Sequence, residues 1–109
     1  FRRQFAEAMN KIFADVDIIL APSTPMSAPL LGQKTMMLGD REVPLRPNIG
    51  IFTQPISFIG LPVAAVPVRE SEGMPFGVQV ISRPWREDLC LRVARVVEAA
   101  GLFRARTAG

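Results

Sequence analysis

Serine hydroxyls are the candidate nucleophiles of this 109-residue chain, and a serine reacts at neutral pH only beside a base. The candidates are Ser23, Ser27, Ser57, Ser71 and Ser82. The chain contains no His, which excludes a Ser-His-Asp or Cys-His arrangement within it. Lys11 and Lys34 remain as candidate bases, but a polar helix face and a proline-rich segment are typical places for solvated lysines. The sequence therefore predicts no catalytic residue in this chain.

Cofactor-binding patterns are likewise missing from the sequence. There is no Gly-x-x-x-x-Gly-Lys run and no Gly-x-Gly-x-x-Gly turn to hold a nucleotide phosphate. Cys90 is the single cysteine and lies within an apolar helical pattern, so we interpret it as a core residue without a thiol partner. We expect neither a metal nor an organic cofactor.

The charge and composition of the chain limit the classes of partner that it is expected to bind. Thirteen basic and ten acidic residues give a net charge of +3, and the arginines are scattered along the sequence. Nucleic-acid binding needs a basic stripe with stacking aromatic residues, whereas the chain has no Tyr and one Trp. No apolar stretch approaches the roughly 20 residues that span a bilayer. We expect a globular cytoplasmic protein that binds neither nucleic acid nor membranes.

The first half of the chain predicts a helix, a strand and a long loop. Residues 2 to 14 have helical periodicity, and Glu7 and Lys11 are spaced as an i,i+4 ion pair. The apolar positions of this helix are Phe5, Met9, Ile12, Phe13 and Val16. Residues 18 to 21 form an apolar run that predicts a buried strand. The proline-rich stretch from 22 to 47 has no sustained period, and we expect a loop that packs against parts of a larger protein.

The second half of the chain predicts an antiparallel hairpin. Residues 63 to 68 and 76 to 81 have the composition of strands. The connection at 70 to 75 is rich in turn-forming residues. Pro67 lacks a backbone donor, so the first of the two strands should lie at an edge of the sheet.

Two further helices are predicted around this hairpin. A short one lies within residues 48 to 60 and ends at a glycine. The last one opens at Pro84, has Glu87 and Asp88 near its positive end, and is capped by Gly101. Its predicted apolar face comprises Leu89, Val93, Val96, Val97 and Ala100. These elements predict an α/β fold of about three strands and two to three helices.

Two sequence blocks carry a specific resemblance. Residues 15–25 read DVDIILAPSTP, and residues 52–68 read FTQPISFIGLPVAAVPV, followed by PFGVQVISRP at 75–84. Together they resemble the C-terminal part of the amidase signature family, in which a mixed sheet is flanked by helices. The resemblance implies amide hydrolysis by a serine that a second serine and a lysine activate. Those three residues lie upstream in the family and match no position here, so residues 1–109 are expected to be an inactive, incomplete portion of an amidase domain.

The resemblance also implies where a substrate would bind. In similar enzymes the helix that begins near Thr53 forms part of the pocket wall, which makes Thr53, Gln54 and Ser57 the candidate substrate-binding residues. A carboxamide both donates and accepts, which suits a planar amide or urea-like group. The alternative is that these side chains only satisfy backbone groups near a buried turn.

Two departures from the family pattern bear on the substrate. Ser57 stands where many members have Asn, and Gly50 stands where tRNA-dependent amidotransferase subunits have an acidic residue. A small amide or ureide is therefore favoured over transamidation, and the block around Thr53 resembles the carboxybiuret hydrolase branch. Such members can form homo-oligomers or pair with a small companion subunit. A non-catalytic module that self-associates through its apolar faces and strand edges is the alternative from another class.

Overall fold

The computed structural model describes residues 1–68 and 73–102. In chain order the elements are α1 (Arg2–Phe13), β1 (Ile18–Pro22), β2 (Thr35–Leu38), β3 (Arg41–Pro44), α2 (Leu45–Asn48), α3 (Gln54–Ile59), β4 (Val63–Val68), β5 (Phe76–Ser82) and α4 (Glu87–Ala99). The predicted α/β class is confirmed, with a three-stranded central sheet, three helices of more than one turn and a separate small hairpin.

The central sheet has the order β1-β5-β4, and both strand pairs are antiparallel. Ile81 at the centre is paired with Ile19 on one side and with Val63 on the other. The predicted hairpin of β4 and β5 is confirmed, and Pro67 lies on an edge strand as expected. Of the predicted connection at 70–75, residues 70–72 lie outside the described part of the chain.

Helices cover both faces of this sheet because successive side chains of β5 point to opposite sides. On one face, here called the α3 face, Ile81 packs with side chains of α1 and α3. The buried members of that cluster are Met9, Phe13, Ile56 and Ile81. On the other, the α4 face, Val80 packs with Val66 and Cys90. The result is a three-layer arrangement of helix, sheet and helix.

The segment from 22 to 47 is not wholly a loop, contrary to the sequence prediction. Strands β2 and β3 form an antiparallel hairpin in which Leu38 is paired with Arg41, leaving a two-residue turn. Gly39 has a φ of +66°, which glycine adopts without steric penalty at the first position of a tight hairpin turn. The prediction was wrong because the two-residue Gly-Asp turn allows two short strands to pair within a proline-rich stretch.

Two details of the first half also differ from the sequence prediction. Glu7 pairs with Arg3, whose Nε lies 3.1 Å from its carboxylate, rather than with Lys11. Strand β1 is present but not buried, because it forms an edge of the sheet and Leu20 on the α4 face is 61% exposed. Ile12 and Val16 of the predicted apolar stripe are exposed as well.

Helix α4 begins at Glu87, three residues later than predicted from Pro84. Trp85 has a φ of +68°, which is incompatible with helical geometry and delays the start. The face that packs on the sheet contains Cys90, Val93, Ala94 and Val97, whereas Val96 and Ala100 are exposed, contrary to prediction. Gly101 follows the helix with a φ of +73°, as expected of a glycine at a helix end. No helix in the described ranges is long and apolar enough to cross a bilayer.

Candidate functional site

Helix α3 presents the three predicted substrate-binding residues at its N-terminal end. Pro55 lies in the first turn, where a missing backbone donor leaves no hydrogen bond unmade, and Gly60 ends the helix with a φ of +72°. Thr53 immediately precedes the helix, and its Oγ1 donates to the backbone oxygen of Gly50 at 3.3 Å. The Thr53 hydroxyl therefore satisfies a backbone group near the turn, which is the alternative role considered from the sequence.

Gln54 and Ser57 lie one turn apart on the exposed side of α3, opposite the buried Ile56. Among the described residues, neither side chain makes a hydrogen bond, so a carboxamide and a hydroxyl face outward together. The Gln54 side chain folds over Gly50: a Cβ placed on Gly50 would lie 3.0 Å from its Nε2. Because Gly50 has no side chain, the Gln54 carboxamide can lie close to its backbone.

Gln79 connects this region to the sheet, although sequence analysis did not single it out. Its side chain lies on the α3 face of β5 and is 3% exposed. Its Nε2 donates to the backbone oxygen of Phe52 at 2.8 Å and to that of Pro22 at 3.0 Å. The available signal was one polar residue inside the apolar run from Val78 to Ile81, since a buried amide requires partners.

Ser23 and Gly77 make a close contact beside Gln79. The Ser23 backbone N–H donates to the Gly77 oxygen at 2.9 Å, which extends the pairing of β1 with β5 by one residue. A Cβ on Gly77 would lie 2.8 Å from Ser23 Oγ, so glycine is needed for this approach. The Ser23 hydroxyl is buried and has no hydrogen-bond partner among the described residues.

The remaining candidate groups lie on parts of the chain other than α3. Lys11 and Lys34 are exposed, in agreement with their interpretation as surface lysines. Ser82 is fully buried on the α4 face, where its Oγ donates to the Arg83 oxygen at 3.1 Å. Ser71 lies outside the described residues. Within the described ranges, no three His, Cys, Asp or Glu side chains are grouped as metal ligands would be.

One cleft and the ionisable groups with shifted pKa values also belong to parts of the chain other than α3. A cleft of about 490 Å³ is lined by Gly32, Gln33, Lys34, Pro44, Arg46 and Pro47. At the start of α4, a hydrogen bond from Arg86 lowers the pKa of the Asp88 carboxyl below its ordinary value of 3.8, and the same contact raises the pKa of Arg86. This ion pair is partly exposed, with 37% of the Arg86 side chain and 58% of the Asp88 side chain accessible, and it lies at the start of α4.

The helix, sheet and helix layers define a segment of an α/β fold, with amide and hydroxyl side chains at the start of α3. The model of the Amidase family matches residues 1–91, which is most of the chain. The chain therefore belongs to the Amidase family, as its sequence blocks had indicated.

Individual relatives agree with this assignment. The chain is 45% identical over 106 residues to AtzE, a component of the 1-carboxybiuret hydrolase of Pseudomonas sp. (strain ADP), covering 95% of this chain and 23% of that protein. It is 34% identical over 110 residues to a component of the glutamyl-tRNA(Gln) amidotransferase of Parvibaculum lavamentivorans (strain DS-1), covering 95% of this chain and 20% of that protein.

A solved structure resembles the chain closely in three dimensions. It is that of a vestigial protein complex related to the origins of an s-triazine catabolic enzyme. The match has a TM-score of 0.91 and 44% identity, and it covers 98% of this chain and 24% of that one. The chain thus spans about a quarter or less of the length of these relatives.

Proposed function

We propose that this chain is the C-terminal part of an amidase that hydrolyses the C–N bond of a small amide or ureide. In this proposal a serine outside residues 1–109 attacks the carbonyl carbon, the C–N bond breaks, and the amine leaves with a proton. Water then hydrolyses the acyl-enzyme. Residues 1–109 supply no catalytic group and contribute a wall of the substrate pocket through Thr53, Gln54 and Ser57.

The observation that carries the proposal is the outward-facing pair of Gln54 and Ser57 on α3. Among the described residues, the two side chains have no protein partner, so their donors and acceptors are free for a ligand. A primary carboxamide can pair with the complementary donor and acceptor of another amide or of a urea-like group. The Ser57 hydroxyl adds one adaptable donor or acceptor on the same side of the helix.

The lack of a side chain at Gly50 favours hydrolysis over transamidation. A Cβ at this position would lie 3.0 Å from Gln54 Nε2, so the carboxamide would have to shift by a few tenths of an ångström. An acidic group, which would hold the ammonium of an amino acid, therefore competes for space with Gln54. This chain has the carboxamide in place, which suits a neutral amide better than an aminoacyl group.

The shape of the chain supports its being part of a larger assembly. Its radius of gyration is 15.5 Å, against about 13 Å expected for a compact domain of this length. Leu20 and Trp85 are largely exposed, and the strands β1 and β4 each leave one edge unpaired among the described residues. We propose that preceding parts of a cytoplasmic amidase cover some of these surfaces, and that a second copy or a small companion subunit covers others.

The test is ammonia release by the full-length protein that contains this chain, with biuret-like compounds and simple amides as substrates. We expect Gln54→Ala and Ser57→Ala each to lower kcat/KM about 3- to 10-fold through KM, because each removes one or two neutral hydrogen bonds. Gln4→Ala is the matched control, since Gln4 is an exposed glutamine on α1. Unchanged kinetics in both α3 variants would contradict the pocket-wall role, and no release from any amide would contradict the amidase proposal.

The alternative is a non-catalytic module that self-associates, which the exposed apolar residues and strand edges favour. Sedimentation velocity of the full-length protein distinguishes the two. Self-association together with absent amide hydrolysis would support the module. A hydrolytically active protein, in any oligomeric state, would exclude it.

A further inference from the structure

We infer that Gln79 is a positioning residue that sets the place of the substrate-contacting end of α3 relative to the sheet. The inference rests on the proposed function, because it concerns the same surface. Gln79 touches no substrate in this scheme. It acts through Phe52, the residue before Thr53, because the Gln79 amide donates a hydrogen bond to the Phe52 carbonyl.

The first step of the argument is the way the turn before α3 is fixed. Its own backbone bonds are local: Thr53 N–H donates to the Gly50 oxygen at 3.1 Å, and Gln54 N–H donates to the same oxygen at 2.9 Å. Local bonds fix the shape of a turn but not its place in the molecule. The bond from Gln79 Nε2 to the Phe52 oxygen crosses 27 residues of sequence and anchors the turn to the central strand.

The second step is the orientation of the Gln79 carboxamide. Both Nε2 hydrogens are used, one for the Phe52 oxygen and one for the Pro22 oxygen. The reverse orientation would bring the carboxamide oxygen against two carbonyl oxygens, which is repulsive. One side chain therefore holds two separate segments, the end of β1 and the entry to α3, in a fixed relation.

The third step is burial. With 3% of its surface exposed, Gln79 is largely shielded from water, so water cannot readily replace the two bonds if the amide is lost. The other anchor of α3, the buried Ile56, is an apolar contact without directional preference. Removal of the amide should therefore leave α3 attached to the sheet while its N-terminal end shifts.

The experiment uses Gln79→Met in the full-length protein, because methionine has a similar length and shape but no donor. We expect kcat/KM for the amide substrate to fall about 10- to 100-fold, mainly through KM, since small displacements of positioning groups have effects of this size. Amide hydrogen exchange in residues 50–57 should become at least about 10-fold faster. Gln79→Asn, which keeps the carboxamide but is one methylene shorter, is the second variant if Gln79→Met does not fold.

Val80→Ala is the matched control, because Val80 is the next residue of the same strand and is fully buried on the α4 face. It should destabilise the protein without raising KM and without faster exchange specific to residues 50–57. An equal change of KM in the Gln79 and Val80 variants would show a merely structural role and overturn the inference.

The exchange measurement separates this inference from the proposed function. If the full-length protein releases no ammonia, the amidase proposal fails, yet exchange in residues 50–57 still reports on Gln79. Unchanged exchange in the Gln79 variants would overturn the inference even in an active amidase. Faster exchange confined to residues 50–57 and the segment after Pro22 would support it.

Discussion

The two faces of the central sheet bury polar groups in different ways. On the α3 face, the Gln79 amide bonds to carbonyl groups 27 and 57 residues away in sequence. On the α4 face, among the described residues, the buried Ser82 hydroxyl donates to the carbonyl of the next residue. The distant side-chain contact there is weaker, from Cys90 Sγ to the Pro62 oxygen at 3.6 Å, and Cys90 otherwise packs with Val80 in an apolar cluster.

This difference shows that holding a helix against the sheet and fixing the position of a loop depend on different kinds of contact. Apolar contacts are non-directional and scale with buried area, so they hold a helix against a sheet without defining the orientation of a loop. Hydrogen bonds depend on distance and angle, so they define where a backbone segment lies. The α3 face combines apolar contacts with two amide hydrogen bonds of 2.8 and 3.0 Å to distant segments, and one of these bonds ends beside the proposed substrate-binding residues.

The largest expected effect comes from removing apolar volume between the layers. Ile81→Ala should lower the free energy of unfolding by about 2–5 kcal/mol, because Ile81 is 1% exposed and contributes to the α3-face cluster. Urea denaturation measures it. Leu91→Ala, on the exposed side of α4, is the control and should change stability by less than about 0.5 kcal/mol. Equal losses in the two variants would contradict the assignment of the core.

A smaller effect is expected at the close approach of β5 to the segment after β1. Gly77→Ala should lower the free energy of unfolding by about 1–3 kcal/mol, because its Cβ would lie within 2.9 Å of both Ser23 side-chain atoms. Thermal or urea denaturation of the two single variants, Gly77→Ala and Ser23→Gly, and of the double variant tests whether this contact causes the loss. Ser23→Gly should relieve most of the loss, and Gly73→Ala, which meets no atom within 4 Å, should be nearly neutral. Additive losses would show that the contact is not the cause.

The smallest effect is expected at the exposed ion pair of the α4 helix start. Because folding lowers the pKa of Asp88, the pair contributes stability above the unfolded pKa and loses it as pH falls through the folded pKa. Asp88→Asn should therefore slightly reduce stability at pH 7 and abolish that difference in strong acid or high salt. The check is urea denaturation at pH 7 and pH 2. A difference that persists in acid would contradict the electrostatic cause.

The sequence predicted most elements of the fold because their signals are local. The spacing of apolar residues indicated α1 and α4, and the strand composition around a turn indicated β4 and β5. The β2–β3 hairpin depends on the local Gly39-Asp40 turn, which is visible in the sequence. The late start of α4 depends on the positive φ of Trp85, which only the structure shows. The exposure of Val96 could not be predicted, since periodicity identifies an apolar stripe but not which part of it meets the sheet.

The sequence by itself determined the family of this chain, its α/β class and the candidate group of Thr53, Gln54 and Ser57. Only the tertiary structure decided that Gln79 holds the approach to α3 and that Gln54 occupies the space above Gly50. The physical reason is that sequence patterns report the short-range preferences of the backbone and the side on which a residue is buried. The partners of a buried amide come from distant parts of the chain, and only folding brings them within hydrogen-bonding distance.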